Sequence, residues 1–195
     1  IVEPAYDAFV RRLVEAAKSL PFGPATDPET VIGPVTTEEA WNRIRGYIEK
    51  GRLEGVPLLV QEAPPQLKAS GGYFIPPTIF GDVSNDATIA CEEIFGPVLS
   101  CMRAKSFDEA LDIAMDSNYA LTGGVFTRSP GHARKAAQRF RVGNLYINRK
   151  TTGALVGRQP FGGMRLSGIG FKAGGPDYLL QFVEARTVTE NTLRR

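Results

Sequence analysis

Two stretches combine polar, aromatic and glycine residues in patterns suited to holding a ligand. The first is Cys91–Pro97, CEEIFGP, where two carboxylates and an aromatic precede a Gly-Pro pair. A carboxylate there can accept paired hydrogen bonds from a ribose diol, and an aromatic face can bracket a planar ring. The same residues also read as a charged turn with Phe95 plugged into a core. The second stretch is Gly153–Gly175, GALVGRQPFGGMRLSGIGFKAGG, which holds eight of the chain's 21 glycines. Each glycine inside a regular element costs roughly 0.5–1 kcal/mol relative to Ala, so the run is expected to be a shaped loop. Its bare backbone N–H groups can form a nest for a carboxylate. Asn148–Lys150, Arg158 and Arg165 would surround such a nest with positive charge, although charges beside a loop are also simply solvated.

Other motifs lead nowhere. Gly168, Gly170 and Ala173 fit the dinucleotide pattern G-x-G-x-x-A, with Glu190 downstream. That pattern needs a strand running into it and a helix opening on it, and Pro160–Ser167 is itself too glycine-rich to be that strand. His132 falls in the first turn of an expected helix beside Ser129 and Pro130, the place of a solvated residue. Cys91 could act as a nucleophile with Glu92 or Glu93 as base, which would make the chain a thiol hydrolase. Adjacent carboxylates oppose a thiolate, however.

Periodicity sets the secondary structure expected around these two stretches. Apolar residues at helical spacing mark helices over Ala5–Leu20, after a capping box at Thr36 and Glu39, and after a second at Ser106 and Glu109. Ser129 with Pro130 starts another, with Ala133, Ala137 and Phe140 facing inward. Strands are expected at Val56–Val60, Val98–Met102, Gly123–Thr127 and Val142–Asn148. The β-rich stretch Gly72–Val83 is demoted to an edge or bend by Pro76–Pro77. Pro64–Gly72 is expected to be an exposed loop, Pro176–Val183 a short helix and Ala185–Thr192 an exposed or intersubunit strand. This alternation predicts an α/β fold with an open, largely parallel twisted sheet flanked by helices, and sites at the carboxyl ends of its strands.

Composition narrows the partners. With 195 residues, 43% apolar and 23% charged, the chain can bury a real core. A net charge of +2 with no basic run gives no electrostatic reason to expect nucleic acid. Two cysteines, Cys91 and Cys101, make neither a disulfide framework nor a metal knuckle, and a reducing compartment is expected. No stretch approaches the ~20 apolar residues of a membrane span. The opening Ile1-Val2 reads as mid-strand, so the sequence is expected to be part of a longer polypeptide.

EEIFGPV at 92–98, VGNLYINR at 142–149 and QPFGGMRLSG at 159–168 together resemble the aldehyde dehydrogenase superfamily. TTGALVG at 151–157 and KAGGPDYL at 172–179 narrow the resemblance to its L-glutamate-γ-semialdehyde (1-pyrroline-5-carboxylate) dehydrogenase branch. The likeness runs from Ile1 to Arg195. It implies NAD-dependent oxidation of that semialdehyde to L-glutamate in proline degradation: a cysteine thiolate attacks the aldehyde, an oxyanion hole holds the adduct, hydride passes to NAD, and a glutamate-activated water releases the acid.

Carried over by motif, the resemblance gives Glu93 a hydrogen bond to the nicotinamide ribose and Phe95 a place near the nicotinamide. Gly153 and Ala154 would offer backbone N–H groups to the substrate's α-carboxylate, and Phe161 would line the aldehyde pocket. The family's Gly-Gln-x-Cys nucleophile segment, its base glutamate and its Rossmann-type domain have no counterpart in residues 1–195. No catalytic residue and no metal ligand are therefore assigned, and the isolated chain is expected to be inactive. Residues 1–183 read as a catalytic-domain portion and 184–195 as an oligomerisation tail. A homo-oligomer is expected, with a cytoplasmic location, or the mitochondrial matrix in a eukaryote. The competing readings are a non-catalytic assembly module and a dehydrogenase for another small aldehyde.

Overall fold

The computed structural model describes residues 1–61 and 72–193. The loop expected at Pro64–Gly72 lies outside the described residues but for Gly72. Two compact units divide the chain, Ile1–Ile113 and Ala114–Arg195.

In the first unit, α1 (Glu3–Lys18) starts with Pro4 in its first turn and buries Tyr6 and Ala17. α2 (Glu38–Leu53) is capped by Thr37, whose hydroxyl accepts the Ala40 N–H at 3.1 Å. The cap thus sits one residue beyond the expected Thr36. Glu38 and Glu39 lie at the positive end of this helix and Lys50 and Arg52 at its negative end, so charge supports both termini. Its apolar face carries Ile44 and Ile48 into a core with Ile75, Phe80, Ile89 and Ile94. Burying each isoleucine contributes roughly 1.5–3 kcal/mol.

Three strands follow: β1 (Leu58–Gln61), β2 (Thr78–Phe80) and β3 (Val98–Ser100), in the order β1-β2-β3. β1 pairs antiparallel with β2, and β2 parallel with β3. All three residues of β2 are buried, so the stretch expected at an edge is the central strand. The prolines do not forbid this because Pro76 and Pro77 precede the ladder, and Thr78 is the first donor, to Pro97 O at 2.9 Å. The short helix α3 (Thr88–Cys91) and α4 (Phe107–Met115) complete the elements that begin in this unit. Arg103 fastens α1 to the chain after β3. Its guanidinium lies 3.8 Å from the Tyr6 ring centroid and donates to Asp7 at 2.6 Å and Asp82 at 2.5 Å. Those bonds, to Asp7 first and then Asp82, raise its pKa.

The second unit contains β4 (Tyr119–Ala120), β5 (Thr122–Val125), α5 (Pro130–Arg139), β6 (Asn144–Ile147) and β7 (Met164–Arg165). β5 and β6 are parallel in the register Thr122↔Asn144 to Val125↔Ile147, whereas β4 and β7 are antiparallel. The described strands therefore form three small sheets, with parallel pairing confined to β2–β3 and β5–β6. Ser129 caps α5 as expected, accepting from His132 N at 3.3 Å. Ala136, rather than Ala137, is the buried residue of that helix. The expected helix at Pro176–Val183 is a 3-10 turn, Tyr178–Phe182, and residues 183–193 form no regular element. Among the described residues, no helix is long and apolar enough to cross a membrane.

Candidate functional site

In the first unit, the turn between α3 and β3 sorts its residues by role. Ile94 is only 8% exposed and anchors the turn in the core, while Phe95 is 78% exposed with φ +52°. Ile94 is thus the plug, and the alternative with Phe95 in the core does not hold. A left-handed aromatic residue is strained, and such strain persists where the surroundings impose it. The next residue packs tightly against α2, since a Cβ on Gly96 would lie 2.7 Å from Ile44 Cδ1. The two acids also divide: the Tyr47 hydroxyl donates to Glu92 Oε2 at 2.7 Å, tying it to α2, and Glu93 is exposed. One exposed carboxylate and one outward ring are therefore presented on this turn. Cys91 donates its thiol to Asn85 O at 3.2 Å, and Cys101 is buried, with desolvation pushing its pKa up.

In the second unit, Asn148 ends β6 with φ +55° and clamps the ends of both parallel strands. Its Oδ1 accepts Thr127 N at 2.8 Å, its Nδ2 donates to Thr127 O at 2.9 Å, and its own N–H donates to Val125 O at 2.8 Å. The chain leaves this clamp toward Gly153, whose φ of +80° only glycine adopts readily. Among the described residues, neither the Gly153 nor the Ala154 N–H makes a hydrogen bond. Gly157 N donates to Gly174 O at 2.8 Å and closes the loop behind them.

Phe161 occupies a different backbone. It forms an antiparallel bridge with Ala173, with N–H···O distances of 2.9 and 2.8 Å. The Asn144 carboxamide spans its neighbours, Nδ2 donating to Pro160 O at 2.9 Å and Oδ1 accepting Gly162 N at 3.2 Å. Sequence reasoning passed over Asn144. A polar side chain in a strand followed by a glycine pair is the signal that could have drawn attention to it.

The expected positive field is thinner than its residue count. Arg165 donates to the carbonyls of Met115, at 2.8 Å, and Ser117, so it serves β7 and the turn before β4. Arg149 lies 5.2 Å from the Tyr146 ring centroid, while Lys150 and Arg158 are exposed. No helix opens on Gly168–Ala173, which removes the structural context for a dinucleotide pattern. Glu93 and Phe95 belong to one unit and Gly153, Ala154 and Phe161 to the other.

The aldehyde dehydrogenase family profile matches residues 1–188. The chain belongs to the aldehyde dehydrogenase family. Among curated members, it is 48% identical over 190 residues to a 1-pyrroline-5-carboxylate dehydrogenase of Geobacillus sp. (strain WCH70), and 46% identical to the Bacillus subtilis (strain 168) enzyme of that name. Each alignment covers 97% of this chain and 36% of the relative, so the chain spans about a third of the length of these family members. Among solved structures, it matches proline utilization A from Bdellovibrio bacteriovorus inactivated by N-propargylglycine, with TM-score 0.92 and 53% identity, covering all of this chain and 20% of that one. It also matches the Thermus 1-pyrroline-5-carboxylate dehydrogenase with bound NAD, with TM-score 0.88 and 46% identity, covering 94% of this chain and 34% of that one.

Proposed function

We propose that this chain is part of an NAD-dependent dehydrogenase that oxidises L-glutamate γ-semialdehyde, formed from 1-pyrroline-5-carboxylate, to L-glutamate. The observation that carries the reading is the pair of N–H groups at Gly153 and Ala154 that make no hydrogen bond among the described residues, beyond the clamped ends of two parallel strands. A nest of amides suits a carboxylate, and a left-handed glycine is the kind of backbone on which such a nest is built. Exposed Lys150 and Arg158 add the matching sign of charge. Phe161 supplies an apolar wall for the aldehyde end, and its doubly bridged main chain holds that wall in place.

The residues at the first unit's turn fit a nicotinamide nucleotide. Glu93 offers carboxylate oxygens for a ribose diol, and Phe95, held outward on strained backbone, offers a face for the nicotinamide. NAD, when bound, would accept the two electrons and the hydrogen that the aldehyde carbon loses. The thiolate nucleophile and base glutamate are assigned to the part of the family's length that this chain does not span. Buried Cys101 and Cys91, whose thiol is spent on a backbone carbonyl, are not given that role.

The same reading takes the parallel pairing of β2 with β3, and that of β5 with β6, each by itself as in keeping with a largely parallel, open sheet. Residues 184–195 become a strand added to a second copy, separate from the catalytic portion 1–183. Exposed Leu179, Phe182, Val183 and Val188 beside and within that tail support a covered surface there. An NADH-production assay with glutamate γ-semialdehyde tests the function. Turnover is expected from the complete polypeptide and none from residues 1–195, and turnover by residues 1–195 would overturn the assignment of the nucleophile. A mass measurement in solution tests the tail, since deletion after Val183 should lower the oligomeric state.

A further inference from the structure

We propose that Lys172 is a positioning residue for the aldehyde pocket, acting through the main chain that carries Phe161. The proposal rests on the reading of Phe161 given above. Lys172 is half-buried, and its ammonium donates to Gly143 O at 2.7 Å and to Gly162 O. Both acceptors are backbone carbonyls, and desolvation pushes the lysine pKa down, as it does for a cation drawn out of water. Lys172 is therefore not a solvated surface charge. It holds two carbonyl dipoles that would otherwise converge without a donor between them.

What it joins gives the grip its meaning. Gly143 leads into β6, and Gly162 follows Phe161. The adjacent pair Lys172–Ala173 thus seizes Phe161–Gly162 twice, through the Ala173 main chain on Phe161 and the Lys172 side chain on Gly162 O. Glycine at both junctions permits the close approach. A Cβ at Gly143 would be driven into Gly162 O, and one at Gly162 would lie 2.5 Å from Phe171 O. β6 ends at the Asn148 clamp that leads to Gly153 and Ala154. By tying the Phe161 loop to the start of that strand, Lys172 fixes the spacing between the aldehyde wall and the carboxylate nest.

Lys172→Met in the complete enzyme keeps the aliphatic stem and removes the ammonium. The KM for glutamate γ-semialdehyde should rise about tenfold, the loss of charged hydrogen bonds, with the KM for NAD unchanged. Amide exchange at Phe161 and Gly162 should quicken while exchange in β5 stays constant. Lys172→Arg, which keeps the charge and its donors, should restore the aldehyde KM to within about threefold of the parent. An unchanged aldehyde KM, or equal rises for aldehyde and NAD, overturns the proposal. So does a failure of both variants to fold, which would make Lys172 a residue of the fold alone. Phe161→Ala run alongside separates the two readings: if it leaves the aldehyde KM unaltered while Lys172→Met still quickens exchange at 161–162, the pocket assignment of Phe161 fails and the grip of Lys172 stands.

Discussion

Residues 153–154 and 160–162 belong to one glycine-rich run, yet they treat their backbone in opposite ways. At 160–162 the polar main-chain groups are engaged: Pro160 O and Gly162 N by Asn144, Phe161 N and O by Ala173, and Gly162 O by Lys172. At 153–154 both N–H groups are unbonded among the described residues. The folded chain pairs nearly all the backbone groups it buries, so the first region reads as a finished platform. The second leaves its donors on an exposed to half-buried stretch of loop, open to solvent or to a ligand. A glycine-rich loop is therefore not one object, and its two halves should answer mutation differently.

The largest loss of stability is expected where the platform meets β6. Gly143→Ala forces a Cβ against Gly162 O, a backbone atom that cannot move aside cheaply, and should cost about 2–3 kcal/mol in denaturant unfolding. Asn144→Ala removes two hydrogen bonds from the same platform and should cost about 2 kcal/mol by the same measurement. Gly153→Ala, in the region left open, meets nothing within 4 Å and should cost only the left-handed penalty of about 1 kcal/mol. A loss at Gly153 as large as that at Gly143 would dissolve the distinction. Smallest of all is Tyr146→Phe. The Tyr146 hydroxyl is buried without a partner among the described residues, so its removal should change stability by less than about 0.5 kcal/mol, or raise it.

Much of the scaffold was legible from the chain alone, because helical periodicity and capping chemistry are local. Ser129 with Pro130 marked α5, and the strands at β3, β5 and β6 were found within a few residues. The errors came from long-range pairing. Pro76–Pro77 suggested an edge, yet β2 begins just after them and is flanked on both sides by strands that no local rule identifies as partners. At the candidate site, the residue types in CEEIFGP pointed to a carboxylate and a ring. That Ile94 and not Phe95 enters the core is a matter of long-range packing, since Ile94 joins a cluster with Ile44, fifty residues away in sequence. Lys172 was invisible for the same reason: a lysine in a loop announces a solvated charge until two distant carbonyls are brought to its ammonium. Arg165 erred in the other direction, counted as part of a ligand field and found serving the turn before β4.

In the proposed function, Gly153 and Ala154 hold donors for a substrate carboxylate. Gly153→Val places a β-branched residue at φ +80° and should turn those donors away. The direct measurement is calorimetric binding of L-glutamate and of NAD to the complete polypeptide and to this variant. The expected result is a dissociation constant for L-glutamate weakened by about tenfold or more, with that for NAD unchanged. Equal weakening of both ligands would show that Gly153 shapes the loop and receives no carboxylate.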